Sequence, residues 1–485
     1  MFLGLDIGTS AVKAVLVDGA QSVIATAETP LAISRPQPSF SEQNPEDWWQ
    51  ATLASIDALK AQAPAALAAV QGLGLSGQMH GAVLLDKNGE VLRPAILWND
   101  GRASAECREL EGRFPALHRI AGNLAFPGFT APKLIWVRKH EPEIFARTAK
   151  VLLPKAYVGY RLTGEMVEEM SDASGTLWLD VGKRDWSDAA LAATDLTRGH
   201  MPRLVEGSAV AGRIKPELAA RWGMASPPVL AGGAGDNAAG AIGLGAIKAD
   251  NAFVSLGTSG VLWATTDRYA PNPESSVHAF CHAIPATWHQ MGVILSAASA
   301  LSWWSSTAKV SPGDLLAPLG DAPSAPSRVT FLPYLSGERT PHNDTAIRGA
   351  FVDLDHDASR ETLTQAVLEG VAFAFKDCLD ALVAAGTHLA EADVIGGGSR
   401  SRFWIAVLAN VLGLPLNRIE DGERGGAFGA ARLARMAATG EAPGDICLPP
   451  RRLETIRPDP VLQQAYAERH ALYRALYPAL KGVTL

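Results

Sequence analysis

Short apolar runs alternate with longer amphipathic segments along most of this 485-residue chain. Residues 2–7 and 12–17 are predicted to form two strands of a hairpin, and the same pattern returns at 252–256 and 260–265. Strands that alternate with helices are typical of an α/β fold. Because one pattern occurs twice at a domain-sized separation, the sequence also indicates an internal duplication.

Capping residues predict where the helices begin. Asn44, followed by Pro45, begins a helix that runs to about residue 61, and Ser359 begins a long helix over 360–384. Further strands are predicted at 70–75, 82–86 and 392–395, and further helices at 401–412 and 425–438. The expected domains are 1–247 and 248–440, followed by a helical tail over 441–485.

A glycine turn with small hydroxyl residues joins the strands of each hairpin. Such a turn leaves backbone N–H groups free, and a run of free N–H groups binds anions. Two such loops in a duplicated chain predict a nucleotide held between the halves. The candidate phosphate contacts are Thr9, Ser10, Lys13, Gly257 and Thr258. Lys13 and Arg424 are plausible phosphate neighbours, but a solvated surface charge is the preferred interpretation for both.

Asp6 ends the first strand beside the first glycine turn. A carboxylate in this position suits Mg²⁺, which prefers one or two carboxylates together with phosphate oxygens. The alternative is an aspartate that caps the turn. The loop that follows favours the metal-binding interpretation.

Asp236 lies in the glycine-rich segment 231–240, after an apolar strand and before a helix of small residues. Phosphoryl transfer to an alcohol needs a group that orients the hydroxyl and accepts its proton, and aspartate commonly serves. The alternative is a helix N-cap, which aspartate also favours. A cap does not need the flanking glycines, so the pattern favours a catalytic role.

Two polar segments that follow strands suit the recognition of sugar hydroxyls. One contains Gln78, Met79 and His80 between glycines, and the other contains Trp98, Asn99 and Asp100. A tryptophan ring gives a sugar an apolar face, and amides, imidazoles and carboxylates bond its hydroxyls. A structural histidine and a capped turn over a core tryptophan are the alternatives.

Two other groups of residues have less specific patterns. Gly396, Gly397 and Gly398 end a strand and open a helix, which allows close approach to a nucleotide. His278 and His282 have the spacing of a metal pair on a helix, but a polar core on a strand is the preferred interpretation, and no metal is assigned there.

Composition excludes several other classes of protein. A net charge of −7 gives no basic surface for nucleic acid. Four cysteines without a CxxC motif form neither a disulfide framework nor a zinc site, so a reducing cytoplasm is expected. Residues 275–307 carry no Asp, Glu, Lys or Arg, but their histidines, serines and Gln290 predict a buried strand and helix, with no membrane association.

The order of these motifs resembles the FGGY carbohydrate kinases, within the actin-like ATPase superfamily. The segment 128–136 is similar to that family's first signature, and Asp353 stands where the second signature usually has glycine. The segments 76–81 and 335–342 are similar to those of members that phosphorylate D-xylulose. The resemblance implies two actin-like (ribonuclease H-like) domains with a nucleotide cleft between them, ATP and Mg²⁺ as cofactors, and a homodimer.

The resemblance also implies roles for the candidate residues. Asp236 is expected to be the catalytic base, and Asp6 is expected to position Mg²⁺. Gly397 and Gly398 are expected to lie against the adenosine. The expected sugar contacts are Met79, His80, Gln78, Trp98, Asn99, Asp100 and Asn237.

Three alternatives stay open. The acceptor could be another ketopentose or polyol, such as ribulose, glycerol or gluconate. The chain could be a non-enzymatic ATP-dependent switch, although such proteins lack a polyol pocket with a base. It could also be a sugar sensor without activity, although both carboxylates and both loops are present.

Overall fold

The computed structural model of the chain describes residues 1–420 and 425–483, so the candidate Arg424 lies outside the described residues. The strands within these ranges are β1 Phe2–Ile7, β2 Ala11–Val17, β3 Val23–Pro30, β4 Glu42–Gln43, β5 Gly72–Gly77, β6 Val83–Leu85, β7 Ala95–Ile96, β8 Lys150–Leu152, β9 Val167–Glu169, β10 Leu179–Asp180, β11 Asp185–Trp186, β12 Arg203–Val205, β13 Val210–Arg213, β14 Val229–Ala231, β15 Ala234–Gly235, β16 Ala252–Leu256, β17 Gly260–Thr266, β18 His278–Cys281, β19 Trp288–Ile294, β20 Thr330–Leu332, β21 Ala350–Val352, β22 Ala392–Ile395, β23 Leu416–Ile419 and β24 Arg452–Ile456.

The α-helices of the same ranges are α1 Pro45–Gln62, α2 Pro64–Ala68, α3 Ser104–Arg113, α4 Leu117–Ala121, α5 Thr130–His140, α6 Pro142–Arg147, α7 Pro154–Thr163, α8 Met170–Ser174, α9 Asp188–Ala192, α10 Pro216–Trp222, α11 Asp236–Leu244, α12 Ala298–Ala308, α13 Pro312–Leu316, α14 Arg360–Ala384, α15 Arg402–Leu412, α16 Gly426–Thr439, α17 Pro443–Ile446 and α18 Pro460–Leu480.

Two sheets of the same design organise the molecule. The first runs β3-β2-β1-β5-β14-β13, and the second contains β19-β17-β16-β22-β23-β24 in the corresponding places. In each sheet the first three strands are antiparallel, the next two are parallel to the third, and the last is antiparallel again. The duplication that the sequence indicates is therefore present in the topology, and the hairpins β1-β2 and β16-β17 are its equivalent parts.

The predicted elements agree closely with the observed ones. Helix α14 begins after the capping Ser359, whose hydroxyl accepts from the Thr362 amide, and it ends where the pattern ends. The uncharged segment 275–307 forms β18, β19 and most of α12. No helix in the described part of the chain has the length and hydrophobicity needed to span a membrane.

The C-terminal segment 441–485 is helical only in part. Strand β24 pairs with β23 and completes the second sheet, before helix α18 begins. The sequence pattern missed this strand because Arg452 and Glu454 make it polar. Asp353 has a φ of +66°, which explains why glycine suits this position in similar proteins. Aspartate tolerates this left-handed conformation better than most residues.

Helix α16 follows the second sheet in sequence but packs on the first. Its backbone lies so close to β1 and β5 that only glycine fits beneath it. A Cβ on Gly4 would lie 1.8 Å from the Ala427 carbonyl oxygen, and one on Gly74 would lie 2.0 Å from that of Ala430. Gly4 and Gly74 are register partners on neighbouring strands, so the two glycines together form the surface on which the helix packs.

We expect Gly74→Ala to destabilise the protein by about 1–3 kcal/mol, because the added methyl group overpacks a rigid backbone contact. The free energy of unfolding, measured by denaturant titration, checks this. Gly112→Ala is the matched control, since its added Cβ meets nothing within 4 Å and lies in helix α3. An equal loss of stability in both variants would contradict a special requirement for glycine at the contact between α16 and the first sheet.

Candidate functional site

The two glycine turns have backbone amides that face no protein acceptor. In the first, the Gly8 amide closes the turn by donating to the Ala11 carbonyl at 3.0 Å. The amides of Thr9 and Ser10 donate to no acceptor within residues 1–420 and 425–483. These turns therefore have the free N–H groups that an anion needs.

The second turn is held by the helix that follows β19. The Ala298 amide donates to the Gly257 carbonyl at 2.8 Å, and the Ala297 amide donates to the Thr258 carbonyl at 3.0 Å. The amides of Thr258 and Ser259 have no acceptor in the described part of the chain. The carbonyl groups are thus bonded to protein while these N–H groups stay available.

Two buried glutamines and the exposed Trp98 fix the shape of the first turn. The Thr9 hydroxyl donates to Gln78 Oε1 at 3.1 Å and accepts from Trp98 Nε1 at 2.9 Å. Gln78 Nε2 donates to Gln43 Oε1 at 2.9 Å, and Gln43 Nε2 donates to the Thr9 carbonyl at 2.7 Å. Gln78 thus supports the phosphate loop, and its predicted contact with the sugar stays a prediction. Sequence reasoning missed Gln43, which no motif marks.

Asp6 and Asp236 lie at neighbouring strand ends. Asp6 pairs in register with Ser76 on β5, and Ser76 pairs with Ala234 on β15. Asp6 Oδ1 accepts from the Ser76 hydroxyl at 2.9 Å. Burial raises the pKa of Asp6, although this hydrogen bond and the charge of Lys13 oppose the rise.

Asp236 is the first residue of α11, and Gly235 occupies the cap position. Its Oδ1 accepts from the amide and the side-chain nitrogen of Asn237, at 2.7 and 3.0 Å. Its Oδ2 bonds no residue that the structure describes. Asp236 is exposed to solvent at the start of α11, although the protein around it desolvates the carboxyl group. That desolvation, together with the charge of Asp6, raises the pKa of Asp236 to about 7.

Buried side chains hold the backbone turn that leads to Asp236. The Gly235 amide donates to Glu169 Oε1 at 3.1 Å and to the Ser171 hydroxyl at 3.0 Å. Lys155 Nζ lies 2.6 Å from Glu168 Oε1 and balances part of the buried negative charge. Sequence reasoning missed this group, although two adjacent glutamates between apolar residues were a usable signal.

Met79 and His80 lie beside the same turn. A Cβ on Gly235 would lie 3.0 Å from the Met79 sulfur, so the methionine contacts the backbone that leads to Asp236. His80 stacks on Phe129 with ring centroids 4.3 Å apart. His80 Nδ1 lies 2.7 Å from the Gly175 carbonyl oxygen and donates to it. Burial lowers the pKa of His80 to about 3, so the ring is neutral.

The segment 98–100 points its side chains in three directions. The Trp98 side chain is exposed and bonds the first phosphate loop. Asn99 lines a hollow of about 450 Å³ formed with residues 35–41. Asp100 is buried and holds Arg102 with hydrogen bonds of 2.7–3.0 Å. A direct sugar contact of Asp100 stays a prediction, because Arg102 and the Ser41 amide occupy its carboxylate.

Gly397 and Gly398 line a hollow of about 530 Å³ beside the second phosphate loop. A Cβ on Gly397 would meet no atom within 4 Å, so its backbone faces open space. Lys13 and Asp6 border a separate hollow of about 930 Å³ that reaches the first turn of α16. The hollow at Gly397 has the size of a small-molecule pocket, and the free amides of the second turn lie next to it.

His278 and His282 belong to a polar core, as the sequence predicted. His278 is buried on β18, and its Nδ1 lies 2.7 Å from Asn123 Oδ1. His282 Nε2 lies 3.0 Å from the Ala246 carbonyl oxygen. Since both rings are bonded to protein groups, they are not placed as a metal pair.

Proteins of similar sequence and solved structures of similar fold are sugar kinases. A xylulose kinase of Escherichia coli (strain K12) is 50% identical over 483 residues, which is 99% of each chain. A crystal structure of a xyloylose kinase from Brucella ovis has 55% identity and a TM-score of 0.97, with 99% of both chains covered. A gluconate kinase structure from Lactobacillus acidophilus has 26% identity and a TM-score of 0.92, and it covers 99% of this chain and 97% of that one. The fold is therefore that of the actin-like ATPases with two sheet-containing domains.

Family models match both halves of the chain. Residues 1–243 match the N-terminal domain of the FGGY family of carbohydrate kinases, and residues 252–438 match its C-terminal domain. Together the two matches include both phosphate turns, both carboxylates of the cleft and the hollow at Gly397. The chain belongs to the FGGY family of carbohydrate kinases.

Proposed function

We propose that this chain transfers the γ-phosphoryl group of ATP to the terminal hydroxyl of D-xylulose, which gives D-xylulose 5-phosphate and ADP. The observation that carries the proposal is Asp236 at the floor of the cleft, with one free oxygen and a pKa raised to about 7. Support for the sugar comes from the xylulose kinase of Escherichia coli, 50% identical over the full chain.

Asp236 acts as the general base. Asn237 holds Oδ1, so Oδ2 faces the acceptor and takes the hydroxyl proton as the oxygen attacks the γ-phosphorus in line. A base with a pKa near the working pH is ionised and still basic enough to help. The anchor formed by Glu169 and Ser171 keeps this carboxylate in one place.

The loops and the hollow receive the nucleotide. The free amides of Thr9, Ser10 and Thr258 donate to phosphate oxygens. These N–H dipoles are already held in place by the turns, so they need no reorganisation during the reaction. Gly397, whose backbone faces open space, lets the adenosine approach the second domain, and Gly398 lines the same hollow. Lys13 adds a positive charge beside Asp6.

The residues at the cleft fit Mg²⁺. The negative charge of Asp6 is near enough to raise the pKa of Asp236, and Asp6 Oδ2 bonds no residue in the described part of the chain. Two partly desolvated carboxylates are stabilised by a cation, and oxygen ligands suit this ion. Asp6 would hold the ion, which neutralises charge on the phosphate oxygens when bound.

The family resemblance supports three further proposals. The chain divides near residue 247, where the two matched ranges leave a gap between 243 and 252. It forms a homodimer. It works in the cytoplasm, which agrees with the free thiols of its four buried cysteines.

Acceptor specificity tests the function directly. We expect ADP release with Mg·ATP to show a kcat/KM for D-xylulose at least about tenfold above that for D-ribulose, L-ribulose, glycerol or gluconate. Gluconate belongs in the panel because a gluconate kinase shares the fold with a TM-score of 0.92. Preference for another acceptor would overturn the sugar but keep the mechanism, and no dependence on any sugar would favour a switch or sensor.

Asp236→Asn keeps the shape of the side chain and removes the base. We expect kcat to fall by about 10²- to 10⁴-fold, with KM for ATP within about twofold of the unchanged enzyme. Steady-state kinetics with varied sugar and varied ATP measure both quantities. Asp445→Asn, which neutralises an exposed carboxylate, is the matched control. Full turnover by Asp236→Asn would rule out its role as the base.

The raised pKa of Asp236 gives a pH dependence. The carboxylate must be ionised to accept a proton, so kcat/KM for the sugar should fall about tenfold per pH unit below about 7 and level off above it. A pH series at constant ionic strength measures this limb. Asp445→Asn should leave the limb in place. A flat profile down to pH 5 would contradict the assignment.

A further inference from the structure

Arg339 reaches from the second half of the chain into the aromatic wall that carries His80. Its guanidinium lies over the Phe126 ring, with Cζ 4.1 Å from the ring centroid. Phe126 meets Phe129 edge to face at 5.4 Å, and Phe129 stacks on His80. The charge of Arg339 is near enough to contribute to the lowered pKa of His80. Arg339 and His80 therefore belong to one wall of the cleft, although 259 residues separate them.

This guanidinium has few partners for its five N–H donors. It forms no ion pair with any residue in the ranges that the structure describes. Within the described residues its side chain forms one hydrogen bond, a long one from Nη1 to His278 Nε2 at 3.5 Å. The neighbouring Glu338 does not neutralise it, because Glu338 Oε1 accepts from the Leu295 and Arg339 amides. Burial lowers the pKa of Arg339. An enclosed cation of this kind is stabilised by an oxygen acceptor that arrives with a ligand.

His278 holds the guanidinium without neutralising it. The Asn123 amide nitrogen donates to the Ala121 and Ala279 carbonyls, at 2.9 and 3.3 Å, so its oxygen faces His278 Nδ1. Nδ1 therefore carries the proton, and Nε2 is the acceptor that faces Arg339. Burial lowers the pKa of His278 well below its usual value, so the ring is neutral. Arg339 is thus oriented, and most of its donors remain free.

His80 offers the opposite hydrogen-bonding character. Its Nδ1–H donates to the Gly175 carbonyl, so its Nε2 is an acceptor. Nε2 bonds no protein group in the described part of the chain. One wall of the cleft therefore presents a cationic donor and a neutral acceptor together.

The chemistry of the acceptor matches this pair, on the condition that the proposed function holds. A five-carbon 2-ketose closes its ring through the oxygen on carbon 5, so only the open chain has a free carbon-5 hydroxyl to phosphorylate. The open chain has a ketone at carbon 2 with hydroxyl groups on both neighbours. A ketone oxygen only accepts hydrogen bonds, whereas a hydroxyl also carries a proton that needs an acceptor, and a guanidinium has none to offer.

We propose that Arg339 is a specificity-determining residue that donates to the carbon-2 ketone of the open-chain sugar, while His80 Nε2 accepts from an adjacent hydroxyl. The pair selects the keto form, which is the only form that can react at oxygen 5. It also selects ketoses over polyols, because a hydroxyl replaces the ketone in a polyol. Since Arg339 and His80 come from different halves of the chain, the bound ketose contacts both halves.

Calorimetric binding of D-xylulose and xylitol, which differ only at carbon 2, tests the proposal. We expect Arg339→Gln to weaken D-xylulose binding about 10- to 100-fold and xylitol binding less than about threefold. Arg339→Lys keeps the charge but loses the planar fork, so its affinity for D-xylulose should lie between those of the unchanged enzyme and Arg339→Gln. Arg457→Gln is the matched control, since Arg457 is exposed in the second half of the chain.

A second measurement keeps the test independent of stability. With D-xylulose labelled with carbon-13 at carbon 2, the bound ketone signal should lie further downfield in the unchanged enzyme than in Arg339→Gln, because a cationic donor polarises the carbonyl and a neutral amide does so less. The thermal midpoint and ATP affinity of each variant show whether it is folded. Equal loss of D-xylulose and xylitol binding, or a bound ring form, would overturn the proposal. If the unchanged enzyme binds neither sugar, the proposed function itself fails.

Discussion

The close approach of helix α16 to the first sheet holds the two halves of this molecule together. The helix follows the second sheet in sequence, yet its backbone rests on Gly4 and Gly74 of the first. It also packs against α11, where a Cβ on Gly429 would lie 1.8 Å from the Ala239 carbonyl oxygen. Contacts of this kind allow no side chain and little sliding. The relative position of the two phosphate turns therefore depends on a few glycines that contact no substrate.

The chemistry of the cleft depends on charges that this architecture crowds together. Asp6 on β1 and Asp236 after β15 lie on either side of β5, and the charge of Asp6 helps to raise the pKa of Asp236. Below them, Glu169 and Lys155 form a second, fully enclosed set of charges that holds the turn before Asp236. Buried charges of this kind are costly to assemble. Here they hold the backbone turn that leads to the Asp236 carboxylate.

Local signals in the sequence predicted local structure well. The bounds of α14 and of both duplicated hairpins followed from caps, glycines and apolar runs, because neighbouring residues decide these features. The strand β24 was missed because it is polar and joins the sheet through pairing alone. Gln78 bonds Thr9 and Asp100 bonds Arg102, partners that no sequence motif indicates, and the predicted sugar contacts of both side chains stay predictions.

The sequence by itself determined the duplication, the two anion-binding turns and the residue types able to transfer a phosphoryl group. These follow from short segments whose backbone conformation is set by their own residues. Only the tertiary structure decided which oxygen of Asp236 is free, why its pKa is raised, and that Arg339 shares a wall with His80. Those properties come from groups that are far apart in the chain. Desolvation and electrostatic coupling depend on distance in space, which the order of residues does not contain.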